Sequence, residues 1–295
     1  MIEFLKSFLF GIVEGITEWL PISSTGHLIL LNQFVKLDVS EEFYSMFEVV
    51  IQLGAILAVV ILFWNQIFPF GAPEGSHTVR RRQAKHAHRR KKSGNGILSY
   101  VKMDIIILWL KVLVACIPAI VIGMPFNDLF EKWFYNYPCV AIALIVFGIA
   151  FIIVENNHKG KPAKINSMDE LTYKTAFLIG LFQLIAAIFP GTSDPVQQLS
   201  VLILGVSRTV AAEFTFVLAI PVMFGASLLK LVKFGLNFTG TEAIILLIGM
   251  VTAFVSSIIV IQFLMGYIKK HDFKVFGYYR IVLGILVILY ALFLA

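Results

Sequence analysis

Long apolar runs, separated by short polar or basic stretches, set the pattern of this chain. They occupy residues 2–13, 44–64, 104–124, 138–154, 175–192, 196–206, 210–230, 243–265 and 276–295. A helix needs roughly 20 mostly apolar residues to cross a bilayer, so several runs predict membrane-spanning helices. Run 196–206 is too short to cross, and the stretch 2–31 is interrupted by Glu14, Glu18 and Pro21. The start, MIEFLKSFLF, lacks a cleavage-site pattern and is expected to be mature protein.

Composition narrows the class further. Of 295 residues, 59% are hydrophobic and 14% charged, against ~45–50% and ~25% in a soluble domain. This excess cannot be hidden inside a water-soluble globule, and it excludes disorder, collagen and a disulfide scaffold. The 27 Phe suit a lipid-facing surface, and Cys116 and Cys139 lie in or beside apolar runs, so no disulfide framework is implied. The net charge is +6, but residues 80–92 hold eight Lys or Arg, and without them it falls to −2. That loop also carries His77, His86 and His88. A solvated loop near anionic lipid is expected of it, rather than a nucleic-acid patch, so no nucleic-acid partner is expected.

Lys and Arg in short loops orient membrane helices. Loops 65–103, 155–174 and 266–275 are basic, whereas 125–137 and 234–240 carry little positive charge. The first three are expected in the cytoplasm and the other two outside. Helix 44–64 then runs inward and helix 210–230 outward, so the segments preceding them dip in from opposite faces. This predicts an all-α polytopic protein with inverted-topology repeats and two re-entrant helical segments. It forms one membrane domain, with a first repeat over about 1–125 and a second over about 138–295. The letters agree. Gly11, Glu14, Pro21 and Ser24 match Gly180, Gln183, Pro190 and Ser193 at a constant offset of 169 residues. Glu48 and Glu213 each open the next apolar helix. Broken helices at matching places point to a midplane site.

The chemistry gathers in Glu14-Gly-Ile-Thr-Glu18-Trp-Leu-Pro21-Ile-Ser23-Ser24-Thr25-Gly26-His27. Glu14 and Glu18, four apart, share one helix face. Two carboxylates in an apolar segment repel, and burying each costs several kcal/mol. A cation between them relieves this, and so does a proton on one. Paired carboxylates with phosphate oxygens suit Mg²⁺, and Ca²⁺ also accepts such ligands. Pro21 stops the helix. Ser23, Ser24, Thr25 and Gly26 then offer hydroxyls and free amides ahead of helix His27–Phe34, an arrangement that binds phosphate and is also an ordinary N-cap. His27 can exchange a proton near neutral pH. At the second break Gly191, Thr192 and Ser193 are the matching cradle.

This first motif resembles the signature of bacterial undecaprenyl-diphosphate phosphatases, the bacitracin-resistance family. Glu48–Phe63 (EVVIQLGAILAVVILF), Leu108–Ile120 (LWLKVLVACIPAI) and Gly205–Gly225 (GVSRTVAAEFTFVLAIPVMFG) extend the resemblance over nearly the whole chain. It implies a helical membrane enzyme of the bacterial plasma membrane that removes the terminal phosphate of undecaprenyl diphosphate. It also implies a divalent cation, Mg²⁺ or Ca²⁺, and an outward-facing site recycling the lipid carrier for cell-wall synthesis. By position, the resemblance makes Glu14 and Glu18 the acidic pair and metal ligands, Ser24 and His27 the catalytic-loop residues, and Ser193 the second-half serine; it implies that Ser24 attacks with help from His27, or that His27 activates a water while Ser24 orients phosphate. The implied partners are the polyprenyl diphosphate substrate and membrane lipids, with a homodimer as one open assembly.

The second motif departs from the family. The family pattern Pro-Gly-x-Ser-Arg-Ser-Gly-Ala-Thr-Ile stands here as Pro190-Gly-Thr-Ser193-Asp194-Pro195-Val196-Gln197-Gln198-Leu199. An Asp replaces the Arg that would clamp diphosphate oxygens. Inserting one nucleotide before codons for Asp194–Ser200 restores Arg-Ser-Gly-Ala-Thr-Ile, so a local frameshift over 194 to about 202 is one explanation. A catalytically impaired homologue, or a lipid-phosphate carrier, is the alternative if the segment is genuine. Arg208 supplies positive charge to the site or caps a helix at the membrane surface. Glu213 binds metal or protons or accepts a structural hydrogen bond, and Lys111 pairs with a carboxylate or snorkels.

Overall fold

The computed structural model describes residues 1–70, 101–134, 136–158, 161–188, 193–235 and 238–293. Among them the secondary structure is helical throughout, with two isolated bridges, Phe70 to Val101 and Ile165 to Val206. The basic run 80–92 and the second-break residues Gly191 and Thr192 lie outside the described residues.

The helices follow the apolar runs, with local chemistry setting their ends. α1 (Ile2–Thr17) stops ahead of Pro21, and α2 (Ser24–Phe34) starts just after it. α3 (Glu41–Val50) is capped by Ser40, whose Oγ accepts the Phe43 amide at 3.1 Å. It continues almost directly into α4 (Gln52–Leu62), and the short α5 (Trp64–Ile67) follows. α6 (Met103–Pro118) ends at a proline that donates no hydrogen bond to Val114. The chain loosens there into a π turn over Ala119–Gly123.

A helix, α7 (Met124–Phe134), occupies most of the stretch expected to be the loop 125–137. Phe126, Leu129 and Trp133 share one face of it and are exposed. α8 (Tyr137–His158) and α9 (Tyr173–Ile188) come next. α9 is described to Ile188, and residues 189–192 of the expected run lie outside the described residues. α10 (Ser193–Ile203) is followed by α11 (Arg208–Phe234), α12 (Gly240–Tyr267) and α13 (Lys274–Phe293). Thr239 and Glu242 close a reciprocal capping box at the start of α12.

Six helical stretches among the described residues are long and apolar enough to cross a membrane: 41–62, 103–123, 138–158, 208–234, 240–267 and 274–293. α1 and α9 have 16 residues each, and α2 and α10 have 11 each, below the roughly 20 a crossing requires. The outer surface is apolar. Leu247, Val251, Val255, Ile259 and Phe263 run along one face of α12, each more than half exposed. Water would not tolerate that stripe; lipid would. The chain is therefore an all-helical polytopic membrane protein.

Inside, small residues let the broken helices approach their neighbours. α1 packs on α12, α9 on α6, and α13 on α8. A Cβ added at Gly11 would stand 2.5 Å from the Gly249 carbonyl oxygen, and one at Gly180 would stand 2.1 Å from that of Ala115. Backbone-to-backbone contact of this kind is how helices associate in lipid, where the hydrophobic drive between them is weak. α11 is the central post. Its residues Val210, Ala211, Ala212, Phe214, Thr215, Phe216, Val217, Leu218 and Ala219 are all buried. It touches α3, α4, α6 and α10.

Candidate active site

The first break sets the site. After α1 the chain turns tightly, with the Ile22 amide donating to the Leu20 carbonyl at 2.6 Å. Ser23 then takes φ 78°, the one positive φ at a non-glycine among the described residues. Such a conformation persists only where its surroundings enforce it. Here the Ser23 hydroxyl accepts the Gly26 amide at 3.1 Å and caps α2. The strained cap puts Ser24 at the first position of α2, buried against the bundle.

Glu14 and Glu18 are both buried, with 0% and 3% of their surface exposed. The Glu18 carboxyl interacts with Glu14 and with the Ser24 hydroxyl beside it. Two carboxyl groups buried side by side are relieved by a shared proton or a cation. Glu18, Trp19, Ser24 and Thr25 face a cavity of about 160 Å³. Its other wall comes from later in the chain: Gln183 of α9, Gln198 of α10 and Thr215 of α11, with Gln52 of α4 beside them. Trp19 stands edge-on to Phe216 at 5.1 Å and closes one side. Apolar residues of α11, including Ala219, Val222 and Met223, form the remainder. Among them Pro221 interrupts the backbone ladder of α11.

Several buried groups around this cavity have no protein partner. They are Glu18 Oε2, Gln183 Oε1, Gln198 Oε1 and the Trp19 indole N–H. Buried polar atoms are nearly always satisfied, so this set calls for a polar guest. Three acceptor oxygens suit a hard cation, and a lone N–H donor suits an anionic oxygen. Among the described residues no three His, Cys, Asp or Glu side chains stand together as a metal cluster. A cation here would use the carboxylates and the carboxamide oxygens.

The sequence profile of the family described as "Bacitracin resistance protein BacA" matches residues 7–286. The chain is 57% identical over 291 residues to an undecaprenyl-diphosphatase of Desulfitobacterium hafniense, covering 98% of this chain and 96% of that protein. It is 56% identical over 292 residues to undecaprenyl-diphosphatase 1 of Clostridium acetobutylicum, covering 99% and 98%. With an undecaprenyl-diphosphatase of Acetivibrio thermocellus it shares 54% over 293 residues, covering 99% of each.

The chain belongs to the BacA family.

Within this BacA-family site, the expected residues divide. Glu18, Ser24 and Thr25 line the cavity, and Glu14 backs Glu18. Ser23 serves as the cap. Gly26 packs under it, where a Cβ would meet the Ser23 hydroxyl at 3.3 Å. His27 is turned towards α13. Its ring lies flat on Tyr279 at 5.6 Å, Nδ1 contacts the Ser23 carbonyl at 2.6 Å, and Nε2 contacts the Tyr279 hydroxyl at 2.7 Å. Both ring nitrogens are thus occupied, and His27 is not part of the cavity wall. Ser193 opens α10.

Arg208 stands elsewhere. Its Nε donates to Glu155 Oε1 at 3.0 Å and its Nη2 to Glu155 Oε2. Glu155 is fully buried and also accepts the Phe273 amide at 3.0 Å. This bidentate pair holds Arg208 at the end of the bundle where Lys161, Lys269 and Lys270 gather. Arg208 lines neither wall of the first cavity, and the cap of α11 is Ser207 rather than Arg208. Lys111 donates to the Met168 and Asp169 carbonyls at 3.1 and 3.3 Å. Glu48 feels the charge of Lys230, while Glu213 feels that of Lys269.

Gln52, Gln198 and Thr215 had no role in the sequence reading, and Gln183 entered it only as a letter of the repeat. A carboxamide carries no formal charge, so it signals weakly inside an apolar run. Arg280 was missed too. It is fully buried on α13, and its charge acts on the His27 ring. An arginine inside a span was the available signal.

Proposed function

We propose that this chain hydrolyses undecaprenyl diphosphate to undecaprenyl phosphate and inorganic phosphate. The observation that carries the reading is the shared cavity: a carboxyl–hydroxyl pair from the first break faces carboxamides flanking the second, inside an apolar bundle. A lipid diphosphate presents the matching chemistry, with an apolar tail for the bundle's surface and a small anionic head for the cavity. The 54–57% identity to proteins named undecaprenyl-diphosphatase supports the same substrate.

The chain's own groups suggest the steps. Thr25, Gln198 and the Trp19 N–H orient the diphosphate. Ser24 Oγ attacks the terminal phosphorus and passes its proton to the Glu18 carboxylate it contacts. The bond to the bridging oxygen breaks, and that oxygen leaves on undecaprenyl phosphate. Water then cleaves the phosphoserine and releases phosphate. Glu18, rather than His27, is the base, because Glu18 touches the hydroxyl whereas His27 is held by Ser23 and Tyr279. His27 braces the Ser23 turn. Positioning and electrostatics supply most of the acceleration in such transfers.

A divalent cation, Mg²⁺ or Ca²⁺, fits the acceptor oxygens of Glu18, Gln183 and Gln198, with Glu14 behind them. When bound, it neutralises charge on the phosphoryl oxygens.

The two halves are proposed to be an inverted repeat, about 1–125 and 138–295, with α1–α2 and α9–α10 as re-entrant segments. The equal helix lengths support this, as do the matched close crossings at Gly11 and Gly180. The convergence of basic loops at one end of the bundle supports a cytoplasmic placement for that end. The cavity then opens to the outer face of a bacterial plasma membrane.

Purified protein in detergent, given a prenyl diphosphate, is expected to release phosphate and to stop when EDTA is added. Detergent has no two sides, so a pure carrier would release none. Absence of phosphate release from folded protein contradicts the reading.

A further inference from the structure

A second and larger cavity, of about 580 Å³, lies at the basic end of the bundle, apart from the cavity of the proposed reaction. It is formed where the C-terminus of α8, the α10–α11 turn and the α12–α13 turn meet. Lys161, Lys269, Lys270 and Arg208 line it, together with His158 and His271. The charges facing it from every side are mixed but favour an anion. Arg208 is engaged by the buried Glu155, and Asp272 on the rim is paired with Lys274 at 3.2 Å. Glu213 of α11 also interacts electrostatically with Lys269. Lys161, Lys269 and Lys270 make no ion pair with a carboxylate among the described residues.

The backbone adds to this. α11 begins in the cavity at Arg208 and Thr209, so its first amides and the positive end of a 27-residue helix point there. Gly205, at φ 80°, makes the turn that places Ser207 as the cap, and the Lys164 stem packs on it. Two separate turns thus deliver three ammonium groups to one basin at a helix start, Lys161 from the segment after α8 and Lys269 with Lys270 from the α12–α13 turn. A surface bearing lysines only to obey the orientation of the chain does not require them to converge on a concave site.

We propose that this basin binds a phosphate-bearing anion, either free phosphate or the head of an anionic membrane lipid. Both sources share the required chemistry: compact negative oxygens that accept from ammonium groups and helix amides. The basin sits at the ends of membrane-spanning helices, where either can reach it. Leu202 of α10 lines it, and Gln198, one turn earlier, lines the reaction cavity, so one helix touches both.

The test is amine footprinting of the full chain in nanodiscs. Acylation rates of Lys161, Lys269 and Lys270 are measured by mass spectrometry, with the exposed Lys36 as internal reference. One arm titrates inorganic phosphate into phosphatidylcholine discs. The other compares phosphatidylcholine discs with discs containing phosphatidylglycerol. At least about threefold slower labelling of the three basin lysines, and not of Lys36, is expected. Protection by phosphate in neutral discs assigns a free anion, and protection only with phosphatidylglycerol assigns a lipid head. Lys269→Gln with Lys270→Gln should weaken the protecting ligand by about tenfold, read at Lys161. Equal rates in every arm, slowing shared by Lys36, or a midpoint unmoved by the double substitution would overturn the site.

Discussion

The two proline-containing stretches of this chain, around Pro21 and Pro190, are flanked by helices of the same lengths but different chemistry. Each follows a 16-residue helix, and each is followed by an 11-residue one. Each helix ahead of a break is pressed onto a neighbour through a glycine, Gly11 on α12 and Gly180 on α6. Yet the first presents Glu14, Glu18 and Ser24, whereas the second places Gln183 and Gln198 on the opposite wall. The position of Glu14 in one half is that of Gln183 in the other. On the proposed reading a shared scaffold builds both walls, and single side chains divide the labour: the first wall would supply the base and the nucleophile, and the second would help to hold the head group.

That division predicts unequal damage. Ser24→Ala should lower kcat most, by about 10⁴-fold, as expected for loss of a nucleophile. Rapid quenching of wild-type protein should trap phosphate on Ser24. Near-normal turnover in the variant would shift the attack to water. Glu18→Gln keeps the shape and removes the base, so a loss of about 10³-fold is expected. Unchanged activity there would end the role of the acidic wall. Gly180→Ala tests the scaffold instead. Its Cβ has no room before the Ala115 carbonyl, and overpacking should lower stability by about 1–3 kcal/mol, read as an unfolding midpoint. Gly225→Ala, with nothing within 4 Å of its Cβ, is the matched control. On the second wall, Gln183→Ala should cost only about tenfold, mainly in KM. Tyr279→Phe frees one nitrogen of His27, and the change should stay within about threefold. A Tyr279→Phe loss as large as that of Glu18→Gln would return His27 to the chemistry.

What the sequence made legible follows from where charge and proline stand. Apolar runs mark the spanning helices, and Pro21 marks the first break. Carboxylates at membrane depth announce themselves because burying them is expensive. Gln183, Gln198 and Thr215 do not, since neutral polar groups sit in apolar helices for many structural reasons. Arg208 pairs with a buried glutamate 53 residues earlier in the chain. His27 meets its partner Tyr279 across 252 residues. Neither pairing has a local signature. α7 went unforeseen because a short amphipathic helix looks like a polar loop when only long apolar runs are counted.

The central claim is that the two walls act on one substrate. The most direct measurement is a double-mutant cycle on phosphate release, with Glu18→Gln, Gln183→Ala and both together. Groups that hold the same phosphate are coupled, so the combined loss should fall short of the product of the single losses by at least about threefold. Losses that multiply without coupling would mean that the two walls do not meet across one substrate.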